Sequence, residues 1–217
     1  MNKYILVFSL LAMITSNIAH AAMIDDFTEE SMNIRVDYPP LSGSDTASTI
    51  TNTSAFGGGR TISISKSGPL SASANVIAPP GIYAHSADAL TSATSTISWH
   101  SDIGIDLIEG RTTTNFALDI LSIDQGNIDF ILSVTDVFNN TDSYSLLEAG
   151  TGIQFIALSL FSSTIDFLQV TDISLRIVGG EASDLTLNSI STVPTPSVLV
   201  LLSMGLVAFR LNRRISV

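Results

Sequence analysis

Cysteine is absent from this chain of 217 residues, which excludes a disulfide scaffold, a thiolate metal site and a thiol nucleophile. Charge is scarce as well: charged residues make up 13% of the chain, about half the ~25% of ordinary soluble domains. What charge there is falls on one side, with 9 basic against 20 acidic residues and a formal net charge of -11. Aromatic residues are 7%, with a single tryptophan, and there are three histidines. No apolar run reaches the ~20 residues needed to cross a bilayer unaided. A highly charged disordered tail and a collagen-like chain are both excluded. Serine and threonine supply about a quarter of the residues. The length suits one domain, or at most two small ones.

The two ends read as addresses. Lys3 is followed by an apolar stretch over 4–14, a small polar region and the triplet Ala19-His20-Ala21, the pattern of a secretory signal peptide over 1–21 that is cleaved after Ala21 and engages the Sec machinery. At the other end, Val193-Pro194-Thr195-Pro196-Ser197 precedes an uncharged apolar run over 198–209 and then Arg210, Arg213 and Arg214. Twelve helical residues at ~1.5 Å each cover about 18 Å, a marginal span whose arginines snorkel to the cytoplasmic side and orient it. The domains expected are therefore a signal peptide, a body over 22–192 and a short transmembrane sorting helix within 193–217.

Together the Val-Pro-x-Pro-Ser segment, the dozen apolar residues and the arginine cluster resemble the PEP-CTERM sorting signal of Gram-negative bacteria. That resemblance implies processing by exosortase, recognition at 193–197, transient inner-membrane anchorage, and delivery to the cell surface or the extracellular matrix. The family most often has Glu between the prolines, where this chain has Thr195.

Four of the nine basic residues, Lys3, Arg210, Arg213 and Arg214, lie in these end segments, so the body carries five basic and all twenty acidic residues, a net -15. Such a body repels the nucleic-acid backbone, and neutral polysaccharide or divalent cations are the compatible partners.

Within the body, period-2 alternation predicts short strands over 32–38, 61–65, 116–121, 128–135, 153–161, 170–177 and 185–190. In the clearest, Ile128, Phe130, Leu132 and Val134 share one face while Asp129, Ser133 and Thr135 share the other. One dry face per strand and no long amphipathic helix predict an all-β fold, an antiparallel β-sandwich. Residues 37–93, low in complexity and broken by Pro39-Pro40, Gly57-Gly58-Gly59 and Pro79-Pro80-Gly81, read as shorter strands and long loops. The opening Met23-Ile24-Asp25-Asp26-Phe27 and the closing segments 165–177 and 183–190 resemble the galactose-binding-like jelly roll of carbohydrate-binding modules. The resemblance implies a structural calcium joining first and last strands, with Asp25, Asp26, Glu29 and Asn188 as ligands; Asn188 stands where the family has Asp. A solvated acidic N-terminus is the competing account of the same acids.

For catalysis, His85 and His100 are the histidines of the body, and no nucleophile elbow, Walker loop or zinc helix occurs. Gly57-Gly58-Gly59-Arg60 reads as a flexible turn. The pair Asp102 and Asp106 could supply the two carboxylates of a glycosidase only at a suitable separation in space. Trp99, Tyr83, Tyr38 and Tyr144 could stack on sugar rings, although Trp99, set in the strand-like segment 96–100, better suits the core. Asn52-Thr53-Ser54 and Asn139-Asn140-Thr141 match the glycosylation sequon. The expected function is a non-catalytic, exported module that binds exopolysaccharide, with a polysaccharide-active enzyme using surface carboxylates as the alternative.

Overall fold

The computed structural model describes residues 22–194 except 40, 52–53, 109–112 and 125–126. The predicted signal peptide with Ala19 and Ala21, the sequon residues Asn52 and Thr53, the motif residues Thr195, Pro196 and Ser197, the apolar run and Arg210, Arg213 and Arg214 lie outside the described residues.

Thirteen strands are described: β1 (Met23–Asp25), β2 (Met32–Val36), β3 (Ser42–Thr51), β4 (Gly59–Ser67), β5 (Ala72–Ile77), β6 (Ile82–Ala87), β7 (Ser92–Ile105), β8 (Thr113–Asp124), β9 (Ile128–Asp136), β10 (Thr141–Leu146), β11 (Gly152–Ala157), β12 (Val170–Gly179) and β13 (Asp184–Pro194). One sheet has the order β11-β8-β13-β6-β5-β2, with β1 beside β13; the other runs β10-β9-β12-β7-β4-β3. Every pairing is antiparallel. The β5–β6 hairpin lies in one sheet while its flanking strands β4 and β7 pair in the other. Winding of this kind alternates sheets along the chain and makes a β-sandwich.

The core lies between the sheets and follows the alternation. Ile128, Phe130, Leu132 and Val134 of β9 face Ile173, Leu175 and Ile177 of β12 along the inner side of one sheet, and Phe116, Leu118, Leu185, Leu187 and Ile190 line the other; all are buried. Each such side chain contributes roughly 1.5–3 kcal/mol by leaving water.

The long loops expected within 37–93 are corrected by the structure, while the strand expected over 61–65 falls within β4. Residues 37–93 hold all of β3 to β6, joined by short turns, because serine and threonine fit the half-exposed outer face of a sheet as readily as a loop. The predicted strand over 153–161 ends at Ala157 and passes into a 3-10 turn at Leu158–Leu160. β13 runs on through Val193 and Pro194, which pair with Asn115 and Thr113 of β8, two residues beyond the expected end of the body.

Candidate functional site

Behind the sheet that carries β7 lies a buried ionic anchor. Arg60 of β4 points inward, its side chain 0% exposed, and its Nη1 donates to Asp25 Oδ1 at 2.5 Å. Asp25 also accepts from Trp99 Nε1 at 2.8 Å and from the Phe27 backbone N–H at 2.8 Å. The second Arg60 nitrogen, Nη2, donates to the Glu29 carbonyl, and the guanidinium stands 5.6 Å from the centre of the Phe27 ring. Burial pushes the Asp25 carboxyl above its ordinary range, against the opposing pull of Arg60 and the donors from Trp99 and Phe27.

This anchor settles where the predicted calcium ligands go. Asp25 is turned into the core and neutralised by a cation; Asp26 accepts from Thr28 N–H and Oγ1; Glu29 accepts from the Ser54 N–H; Asn188 donates to Asp119 Oδ2 at 2.8 Å. The four do not form one oxygen cage, and among the described residues no group of three or more His, Cys, Asp or Glu could hold a metal. A calcium at Asp25 would sit against the Arg60 guanidinium, so these residues do not fit the ion.

Of the aromatic candidates, Trp99 takes the core place its strand suggested, and Tyr83 is corrected. Trp99 is 1% exposed and Tyr83 0%, with the Tyr83 ring 5.9 Å from that of Phe27, so neither face is open to a sugar. Tyr144 packs against Phe161 and Tyr38 stands exposed just after β2.

Above the anchor, on the outer face of the same sheet, is a cleft of about 470 Å³. Its walls include Gly57 and Gly58 of the 3-10 turn before β4, Thr61, Ser98, His100, Thr135, Asp172 and Ser174. The glycine turn is shaped rather than loose. Gly57 has φ +68°, and a Cβ there would lie 1.8 Å from the His100 carbonyl oxygen, so only glycine lets this turn close over β7. A second, smaller cleft of about 220 Å³ opens at the other end of the same face, lined by Ser65, Ser67, Ser92, Thr94 and Val178 among others. From Ser92 to His100 along β7 is about 27 Å at ~3.4 Å per residue.

The register makes this face a lattice of hydroxyls. Thr61, Ser98, Ser174, Ser133 and Ser143 stand in one row across β4, β7, β12, β9 and β10. Ser133 and Ser143 share a hydrogen bond of 2.8 Å, as do Thr135 and Thr141. Each hydroxyl offers a donor and acceptor sites, at ~4.8 Å spacing across strands. At the end of the groove His100 is held between two carboxylates, Nδ1 to Asp172 Oδ1 at 2.6 Å and Nε2 to Asp102 Oδ1 at 3.3 Å. The hydrogen bond to Asp172 holds the imidazole above its ordinary 6.5. Asp106, the other expected carboxylate, instead accepts from the Ile108 N–H at 2.8 Å.

Sequence reasoning singled out His100 and Asp102 but missed Thr61, Ser98, Ser174 and Asp172. Their one signal is the polar half of each alternation, and residues as plain as serine acquire meaning only when neighbouring strands bring them together.

No family model matches the chain, and no curated protein matches it. Solved structures do. An agarase, AgWH50C, is 13% identical over 82% of this chain with a TM-score of 0.46. The family 11 carbohydrate-binding module of Clostridium thermocellum, solved with a β-1,3-1,4-mixed-linked tetrasaccharide, is 12% identical over 80% of this chain and 95% of its own, with a TM-score of 0.41. The module TmCBM61, solved with β-1,4-galactotriose, is 10% identical over 52% of this chain and 70% of its own, at 0.37. The chain spans 27% of the agarase and 21% of PfGH50B, another structure it resembles.

Proposed function

We propose that this chain is an exported, non-catalytic polysaccharide-binding module, and that the ligand lies along the outer face of β4, β7 and β12. The observation that carries this reading is the row Thr61, Ser98, Ser174, Ser133 and Ser143 running into a cleft that ends at His100 and Asp172. Among the described residues, the hydroxyl rows of this face carry no ring besides His100, so a sugar here is read by hydrogen bonds, direct or through water, instead of by stacking. Substituting Ser98→Ala together with Ser174→Ala removes two hydroxyls at nearly constant volume. At about 0.5–1.5 kcal/mol for each lost bond, binding should weaken roughly tenfold. Affinity electrophoresis of the full chain through gels of different polysaccharides measures this; retention unaffected by the pair of substitutions would remove the face as the site.

The second reading, an enzyme acting on polysaccharide, draws on the bracketing of His100 by Asp102 and Asp172. Release of reducing ends from a retained polysaccharide, abolished by His100→Gln, would establish it in place of the binding module.

Export and exosortase sorting form the other half of the proposal and rest on the two ends of the sequence. Pro194 and Pro196 disfavour helix at the residue before each. Replacing Pro194 and Pro196 should leave an inserted, uncleaved precursor, while Arg210, Arg213 and Arg214 changed to Glu should disturb topology. Mass spectrometry of the secreted product from cells with an exosortase is the readout, and a product still ending at Val217 would refute sorting.

A further inference from the structure

Midway between the two clefts stands a cation that no described residue engages. Arg176 of β12 is exposed on the outer face, with Thr96 of β7 on one side and Ile131 of β9 on the other. Ser174, two residues back, lines the larger cleft; Val178, two residues on, lines the smaller. The other described cations are committed. Arg35 pairs with Asp37, Arg60 with Asp25, and the buried Lys66 donates to the carbonyls of Gly68 and Leu70. The acids that share this face near Arg176 are engaged elsewhere: Asp129 of β9 accepts from the Glu148 N–H at 2.8 Å, and Asp172 holds His100. Among the described residues no carboxylate lies within 4.0 Å of the Arg176 guanidinium.

An arginine held in a field of hydroxyls, in a body of net charge -15, is where a ligand's own acid would find its counterion. The planar guanidinium fork matches a carboxylate with two parallel hydrogen bonds. The body's overall charge repels a dense polyanion, so the attraction is effective only for acids spaced along an otherwise neutral chain. Ile131 offers an aliphatic flank for a ring beside the charge, and Thr96 and Ser98 offer partners for its hydroxyls.

From this arrangement we infer that Arg176 is a subsite for a single uronate carboxylate, and that the polysaccharide bound here is sparsely carboxylated. The inference rests on the binding face proposed above and names the class of ligand it takes. Two probes carry isolated uronates on neutral backbones, gellan and glucuronoxylan, and carboxyl reduction of each gives a neutral polymer with the same backbone. In affinity electrophoresis the full chain should be retained at least tenfold more strongly by one acidic form than by its reduced counterpart. Arg176→Gln should abolish that difference, and Arg176→Lys should keep part of it, because the charge survives without the fork. Circular dichroism melting of each variant controls for folding. Equal retention of acidic and reduced forms by the unaltered chain, or a preference that persists in Arg176→Gln, overturns the inference while leaving the binding face standing. Retention by no polysaccharide at all, neutral or acidic, overturns the binding face itself.

Discussion

Replacing Arg60 with Met is expected to cost the fold about 3–5 kcal/mol, the usual penalty for breaking a buried ion pair by removing one partner. The magnitude follows from burial: the Arg60 and Asp25 side chains are 0% and 2% exposed, so the carboxylate left behind cannot recover its lost partner from water. Asp25→Asn should cost a similar amount, since it strands the guanidinium. The double variant Asp25→Asn with Arg60→Met should recover much of the loss, because neither residue then carries an uncompensated charge. Loss of the pair should also loosen β1, whose three residues pair in the sheet with β13 and whose last residue is Asp25 itself. Denaturant unfolding of the four proteins measures the energies, and amide exchange at Ile24 and Asp25 follows the strand. A cost below about 1 kcal/mol for either single substitution would show that the pair does not anchor the sandwich.

Acid should destabilise the protein well before its carboxylates are titrated, through His85. This residue of β6 is 1% exposed; its Nδ1 lies 2.8 Å from Ser95 Oγ across the core, and its Nε2 has no hydrogen-bond partner among the described residues. A second proton on this ring would place a charge in the core and leave the Nε2 N–H without an acceptor among the described residues, and burial accordingly lowers the group from 6.5 to about 4. The unfolded chain binds this proton first, so the contribution is complete above pH 6.5 and is lost as pH falls towards 4. The interval corresponds to roughly 3 kcal/mol. Asp25, whose carboxyl is raised, acts in the opposite sense above 3.8, and Asp136, whose carboxyl is lowered mainly by the hydrogen bond from Asn140 against the cost of burial, loses its contribution only at more acid pH. His85→Gln isolates the histidine: unfolding free energy should fall between pH 7.5 and 4 in the unaltered chain and stay nearly level in the variant. Equal pH dependence in the two proteins would assign the acid sensitivity to another group.

The alternation in 128–135 and 170–177 determined by itself that these segments are strands and which side chains enter the core. A side chain's face in a strand is set by counting residues, and hydrophobic burial selects the face. By contrast, 37–93 gave such a signal only over 61–65, which falls within β4. Elsewhere in the segment serine and threonine show little hydropathy contrast from one position to the next, so β3, β5 and β6 became visible only when their partners in the sheets were in place. The same limit governs the site. Arg60 and Asp25 are 35 positions apart, and His100 and Asp172 are 72 apart. Composition told that Asp25 and Asp26 are acidic and adjacent; whether an acid faces water, a metal or an arginine depends on what the chain brings up from elsewhere. One residue apart on a strand means opposite faces, and so Asp25 entered the core against Arg60 and Trp99 while Asp26 remained with Thr28 at the surface. Trp99 and Ser98 were divided in the same way. The aromatic that chemistry would have chosen to meet a sugar went inward with the apolar positions, and the serine beside it became part of the outer face.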